Sequence, residues 1–177
     1  MNKKLTTAEL NRPMVEDYLK EDKFPVVVVL DDIRSLSNVG SIFRTSDAFK
    51  VKELILCGIT GRPPHREIQR TALGATESVA WRYAESALEE VESLKTQGFH
   101  IMALEQCERP VMMDQWSGKK DQSYCLIVGN EVNGVNQALV DIADEVLEIP
   151  QLGTKHSLNV TVATGVALWE IFKVYKK

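Results

Sequence analysis

Residues 149–170 read IPQLGTKHSLNVTVATGVALWE: an apolar strand end, seven polar-rich residues from Gln151 to Ser157, and the start of an amphipathic helix. Strand, loop and helix in succession are the repeating unit of an α/β sheet, in which ligands bind beyond the carboxyl ends of the strands. Leu158, Val162, Val166, Trp169 and Phe172 recur at helical spacing, with Ala163, Ala167 and Ile171 widening the stripe. A helix from Leu158 to Tyr175, buried along that stripe, is therefore expected. Ser157 and Asn159 stand at its first turn, where short polar side chains favour caps over helix interiors. Taken alone, the stretch is read most simply as Ser157 capping the helix; a ligand-binding loop is the other reading.

Working outward, the same alternation extends through most of the chain. Residues 1–24 are polar, with Leu5, Leu10, Met14, Tyr18 and Leu19 at roughly helical spacing, which predicts one or two short helices outside the sheet. Pro25 is expected to end that segment, and Val26–Leu30, apolar and mostly β-branched, reads as a fully buried strand. A helix from Asn38 to Phe49 with Asn38 as its cap follows, then a strand over Glu53–Cys57. The glycines and prolines of residues 58–78 predict a loop carrying Arg62, His65, Arg66 and Arg70. Further strands are expected at Val79–Tyr83, Phe99–Leu104, Tyr124–Val128 and Val146–Ile149, with helices at Ala84–Thr96 and Gln137–Ile142. Residues 108–122 read as irregular, with a turn of helix near Met112. The fold class is thus α/β, a mostly parallel sheet with helices on both faces.

Bulk composition narrows the function classes. A chain of 177 residues, 44% hydrophobic and 26% charged, suits one soluble globular domain. No run approaches ~18 consecutive apolar residues, and the first residues hold two lysines without an apolar core, so neither a membrane span nor a secretory signal is expected. Cys57, Cys107 and Cys125 show no paired spacing, which predicts reduced thiols in a cytoplasmic protein and no metal site. The net charge of -4 conceals a split: residues 32–82 hold eight Lys/Arg against five Asp/Glu, and residues 83–148 hold four against thirteen. A polyanion would therefore be met on one face only, if the split is more than an accident of solvated helices.

Three expected strand ends carry polar residues. Asn38-Val-Gly-Ser-Ile-Phe-Arg44 sets a cap residue and an arginine about 1.7 helical turns apart, with Gly40 permitting close approach between them. An anion at that helix start would feel both the dipole and the guanidinium, although Arg44 has Asp47 and Asp31 as alternative partners. Gly129-Asn130-Glu131-Val132-Asn133-Gly134 places a carboxylate between two glycines in a sharp turn; Glu131 is either a ligand contact or a cap for the following helix. The spacing is not that of a dinucleotide-binding loop, which argues against an α/β enzyme using NAD.

Together, NVGSIFRTSDAF, LIVGNEVNGV and IPQLGTKHSLNVTVA resemble, in order and interval, the three motifs of the SPOUT class of RNA methyltransferases, specifically its TrmH (SpoU) branch. The resemblance implies a C-terminal deep trefoil knot, S-adenosylmethionine as methyl donor, an RNA ribose 2′-hydroxyl as acceptor and a homodimer. It divides the chain into an N-terminal helical extension, residues 1–24, and a methyltransferase domain, residues 25–177. Position by position, it assigns catalysis to Asn38, Arg44, Glu131, Ser157 and Asn159. Donor binding falls to Leu104, Gly129, Asn130, Glu131, Gly134, Ile149, Gln151, Ser157 and Leu158. Gln151 stands where the family often has methionine. RNA contact is expected from Arg62, His65, Arg66 and Arg70, with transfer RNA favoured and ribosomal RNA possible. A non-catalytic protein of the same fold, binding RNA or S-adenosylmethionine, is the rival reading.

Overall fold

Residues 1–176 are described by a computed structural model. The β-branched run expected as a strand forms β1 (Phe24–Asp31), which begins one residue before Pro25 rather than after it. α2 (Leu36–Ala48) follows, preceded in the chain by the short α1 (Val15–Lys20). Next come β2 (Val51–Cys57), α3 (Arg66–Ala72), α4 (Ala75–Ser78), β3 (Trp81–Ala84) and α5 (Ala87–Thr96). The second half holds β4 (His100–Leu104), β5 (Val111–Met112), β6 (Tyr124–Val128), α6 (Gln137–Ile142), β7 (Glu145–Glu148) and α7 (Val160–Lys176).

The strands form one sheet in the order β3-β2-β1-β6-β4-β7-β5, and every strand pair in it is parallel. Side chains alternate across it as the two-residue period of a strand requires. Val26, Val28, Leu30, Leu54, Leu56 and Leu126 pack on one side with Ile42 and Phe43 of α2, Ile68 of α3 and Leu168 of α7. Val27, Val29, Ile55, Ile101 and Ile127 pack on the other with Val91 of α5 and Leu139 of α6. Both faces are covered, which is why the central strands read as continuous apolar runs. The N-terminal segment is docked through Tyr18, whose hydroxyl donates to Asp47 O at 2.8 Å.

Four local expectations are corrected. Ser35, not Asn38, caps α2: its hydroxyl accepts the Asn38 amide at 3.3 Å, so the helix starts at Leu36 and Asn38 lies in its first turn. The region 58–78 is not a loop throughout. Its glycines and prolines before Arg66 leave residues 66–72 free to bury Ile68 and Ala72, four apart, until Leu73 at φ +49° ends the helix and Gly74 at φ +90° leads into α4. The turn of helix near Met112 is instead the edge strand β5, paired with β7. The fourth concerns α7, which is apolar on two sides. Thr164, Ala167, Leu168 and Ile171 face inward, whereas Leu158, Val162 and Trp169 of the expected buried stripe are 38%, 52% and 50% exposed. None of the four inward residues carries a ring, and the small Thr164 and Ala167 let α7 lie close on the layer beneath.

Gly40 has a different role from the one its spacing suggested. It is buried where α2 meets α3, and a Cβ there would fall onto Ile68 O and the Thr71 hydroxyl. Gly40→Ala is expected to lower stability by about 2 kcal/mol, or Tm by about 4–8 °C, because backbone must move to admit the methyl. Thermal unfolding of the variant checks this.

Candidate active site

The turn after β6 is closed by its own residues. Asn130 N donates to Gly134 O at 3.0 Å and Gly134 N returns the bond to Asn130 O at 2.9 Å. Asn130 Oδ1 accepts the amides of Val132 and Asn133 at 2.9 and 3.1 Å, while its Nδ2 donates to Asp32 O at 2.7 Å. Glycine is required at 129, since a Cβ would enter the backbone of Gly134 and Val135, and Gly134 sits at φ +69°.

This turn aims Glu131 at the start of α2. Its carboxylate accepts Arg34 N at 2.9 Å, Ser35 N at 3.0 Å and Asn38 Nδ2 at 2.8 Å. Asn38 Oδ1 in turn faces Asn159 Nδ2 at 3.5 Å, the outer limit of a hydrogen bond. The chain Glu131–Asn38–Asn159 therefore joins the three strand-end segments singled out in the sequence. Partial burial on its own would raise the Glu131 pKa; the donors from Arg34, Asn38 and Ser35 outweigh it and hold the carboxyl below the ordinary glutamate value. Glu131 thus stays ionised and serves as a brace for α2, not as a cap for the helix that follows it in sequence.

Asn159 also corrects the reading of Ser157. Asn159 Oδ1 accepts Thr161 N at 2.9 Å and its carbonyl accepts Val162 N and Ala163 N at 3.0 Å, so the α7 cap is Asn159. Ser157 is left in the exposed loop, facing a cleft of about 520 Å³. That cleft lies past the ends of β4, β6 and β7 and is lined by Leu104, Gly129, Asn130, Glu131, Gly134, Ile149, Gln151, Ser157 and Leu158. Asn159 lines it as well, and Asn38 stands behind Glu131.

Its chemistry is divided. Leu104, Val128, Leu147, Ile149, Val160 and Ala163 supply an apolar part, and Glu105, Asn133, Glu148, Gln151 and His156 a polar part with carboxylates. A ligand carrying both apolar and charged groups suits that mixture. Sequence reasoning missed Glu105. Its Oε2 accepts Val135 N at 2.8 Å and its Oε1 accepts Gln106 N at 2.8 Å, bracing the turn from the other side. The available signal was its position: a carboxylate directly past the end of β4, as Gly129 is directly past β6.

Arg44 does not line the cleft. It is exposed on α2, two turns from the cap, and among the described residues it has no ion-pair partner. Neither alternative partner engages it: Asp47 accepts from the Ser78 hydroxyl and Asp31 from Asn136 N. Thr45, its neighbour, faces Gly165 of α7, where an added Cβ would lie 3.9 Å from the Thr45 methyl. The four residues expected to meet RNA are exposed, but three of them have partners: the Arg62 guanidinium lies 4.2 Å from the Tyr83 ring centre, Arg70 pairs with Glu67 at 3.0 Å, and His65 Nδ1 accepts Glu67 N at 3.2 Å. Arg66 is the member with an uncommitted charge among the described residues. The loop after β2 is fixed to the α2 start, since Thr60 Oγ1 accepts Ile33 N at 3.0 Å and Asp32 Oδ1 accepts Ile59 N at 2.9 Å.

A model of the SpoU rRNA Methylase family matches residues 25–169. Over 162 residues the chain is 26% identical to the 23S rRNA (guanosine-2'-O-)-methyltransferase RlmB of Vibrio parahaemolyticus, covering 92% of this chain and 64% of that protein. Among solved structures it resembles the TrmH/SpoU tRNA modifying enzyme of A. aeolicus, with TM-score 0.81, 27% identity and coverage of 92% and 81% of the two chains. It also resembles an AdoMet-bound rRNA methyltransferase from Sinorhizobium meliloti, with TM-score 0.78, 28% identity and coverage of 92% and 60%. The chain therefore spans slightly less than two thirds of the length of the Vibrio relative.

Proposed function

The chain belongs to the SpoU rRNA Methylase family, and on that premise we propose that it transfers a methyl group from S-adenosylmethionine to a ribose 2′-hydroxyl of RNA. The observation that carries this reading is the Glu131–Asn38–Asn159 chain, which brings three separate strand ends to one side of a divided cleft. The donor supplies a methyl group on a sulfonium. Leu104, Ile149, Leu158 and the backbone of residues 129–134 would hold it, with Gln151 at the polar rim.

Proton removal from the 2′-hydroxyl is the harder requirement, since that group is a poor acid. Arg44 cannot serve as a simple base, because a guanidinium stays charged in proteins. Its free fork is suited to clamping the phosphate beside the target ribose, orienting the hydroxyl and lowering its pKa. Asn38 and Glu131 fix the helix that carries Arg44, and Ser157 and Asn159 face the ribose. Incubation with tritiated S-adenosylmethionine and bulk RNA tests the function: label in RNA 2′-O-methyl groups is expected. Absence of label, with donor binding intact, would favour the non-catalytic reading.

Transfer RNA is the substrate we favour, supported by the fold-level likeness to the A. aeolicus tRNA modifying enzyme. Likeness to RlmB keeps ribosomal RNA as the second reading; mapping the 2′-O-methyl sites lost on gene deletion separates them. Arg62, His65, Arg66 and Arg70 would supply phosphate contacts. Arg66→Ala, which removes the one uncommitted charge of the four, is expected to lower the slope of log affinity against log salt by about 1. Filter binding across a salt series measures it.

A homodimer is part of the same proposal. Val162 and Trp169 of α7, with Leu158 just before it, are exposed and apolar, on a helix that packs against the one carrying Arg44. Burying these side chains in a second copy would set Arg44 near the subunit interface. The double variant Val162→Asp, Trp169→Asp is expected to be monomeric by light scattering, where the native chain is dimeric.

The C-terminal trefoil knot is likewise proposed. It is what the resemblance of the three motifs to the family implies. Pulling the chain from both ends is expected to leave it shorter than its full contour by the tightened knot. The division into an extension, residues 1–24, and a methyltransferase domain, residues 25–177, is kept as a proposal; Lys177 lies outside the described residues. No helix among the described residues is long and apolar enough to cross a membrane, and a cytoplasmic location is proposed with the RNA substrate.

A further inference from the structure

Residues 150–158, of which Gln151, His156, Ser157 and Leu158 line the cleft, are exposed throughout, and Leu152 is fully so. Among the described residues, one hydrogen bond ties this segment to the body: Gln106 Nε2 donates to His156 O at 2.6 Å. The acceptor is a carbonyl, so only the amide nitrogen of Gln106 can make the contact. Gln106 is itself held at the backbone, because Glu105 Oε1 accepts its amide at 2.8 Å. The second oxygen of the same carboxylate accepts Val135 N at 2.8 Å, at the end of the opposite wall.

We propose that Gln106 is a positioning residue that latches the loop of residues 150–158 across the cleft, with Glu105 coupling the latch to the turn of residues 129–135. The ligand's identity rests on the methyltransferase reading; the latch does not. A long exposed segment that must order around a ligand loses affinity in proportion to the freedom it gives up. Fixing the segment at His156 places Gln151, Ser157 and Leu158 near their bound positions before the ligand arrives. Gln106 therefore acts through the loop, and its effect belongs in donor affinity and not in the chemical step.

Three variants separate this from a general packing role. Gln106→Ala removes the donor, Gln106→Glu keeps the shape but puts a second acceptor against the carbonyl, and Gln106→Lys restores a donor. Without ligand, backbone order parameters from 15N relaxation at residues 155–157 are expected to fall from about 0.85 to below about 0.6 in the Ala and Glu variants, and to return toward native values in the Lys variant. Calorimetry with S-adenosylmethionine should show about ten-fold weaker binding in the same two variants and recovery in the third. With RNA, KM for the donor rises while kcat and KM for RNA stay unchanged. Native order parameters at residues 155–157 in Gln106→Ala would overturn the latch, as would a loss of order spread evenly over the sheet. If the native protein does not bind S-adenosylmethionine, the methyltransferase reading fails, and the relaxation measurement still decides the latch.

Discussion

Arg44→Ala is expected to reduce methyl transfer by about 100- to 1,000-fold while donor affinity and Tm stay at native values. Arg44 is exposed and, among the described residues, without an ion-pair partner, so its removal leaves the fold intact. It lies outside the cleft, so donor binding loses no contact. What is lost is the charge that would orient the substrate phosphate and lower the pKa of the adjacent hydroxyl, worth about 3–4 kcal/mol at the transition state for that range of rates. Arg44→Lys keeps the charge and loses the planar fork, so an intermediate loss of about ten-fold is expected. Single-turnover kinetics with saturating donor give the result. Near-native turnover in Arg44→Lys with unchanged RNA affinity would remove the clamp from the mechanism.

Glu131→Ala is the second large effect expected, a fall in turnover of about 100-fold accompanied by lower stability. Here the residue acts on the fold of the site. Its carboxylate holds two backbone amides and the Asn38 side chain, and hydrogen bonds to a charged group contribute about 1.5–3 kcal/mol each. Without them Asn38 loses its acceptor and the α2 start, which carries Arg44, loses its brace against the turn. Glu131→Gln is expected to fall between, since an amide presents one oxygen and would turn a donor toward an N–H.

The acidic pH dependence follows from the direction of the Glu131 shift. Because its folded pKa is held below the ordinary value, its contribution is fully present above the unfolded glutamate pKa of about 4.3 and is lost as pH falls through the lower folded value. The stability difference between native protein and Glu131→Gln should therefore be constant near neutrality and shrink below about pH 4. Urea unfolding at a series of pH values measures that difference. A difference that grows on acidification would mean that the carboxyl is protonated in the folded protein.

Much of the architecture was legible because the sheet is covered on both faces. Runs such as Val26–Leu30 and Tyr124–Val128 could be only central strands, and their boundaries came within two residues of β1 and matched β6. Local rules failed where two candidates of similar chemistry stood close together. Ser35 and Asn38 can both cap a helix, as can Ser157 and Asn159. In each pair the position of the backbone, set by tertiary packing, selected one. On α7, periodicity gave one stripe through Leu158, Val162 and Trp169, whereas the face that packs inward is that of Thr164, Ala167, Leu168 and Ile171.

The site divides in the same way. The chain's own chemistry specified a parallel α/β sheet, three polar strand ends and the residues on them, because strand period, glycine turns and short polar caps are local properties. Local chemistry could not show that Glu131 braces Asn38 from 93 residues away, that Glu105 and Gln106 join the two walls of the cleft, or that Val162 and Trp169 of α7 look outward. Those outcomes depend on which strand ends become neighbours in the order β1-β6-β4-β7, and a hydrogen bond between distant residues exists only once that order is set.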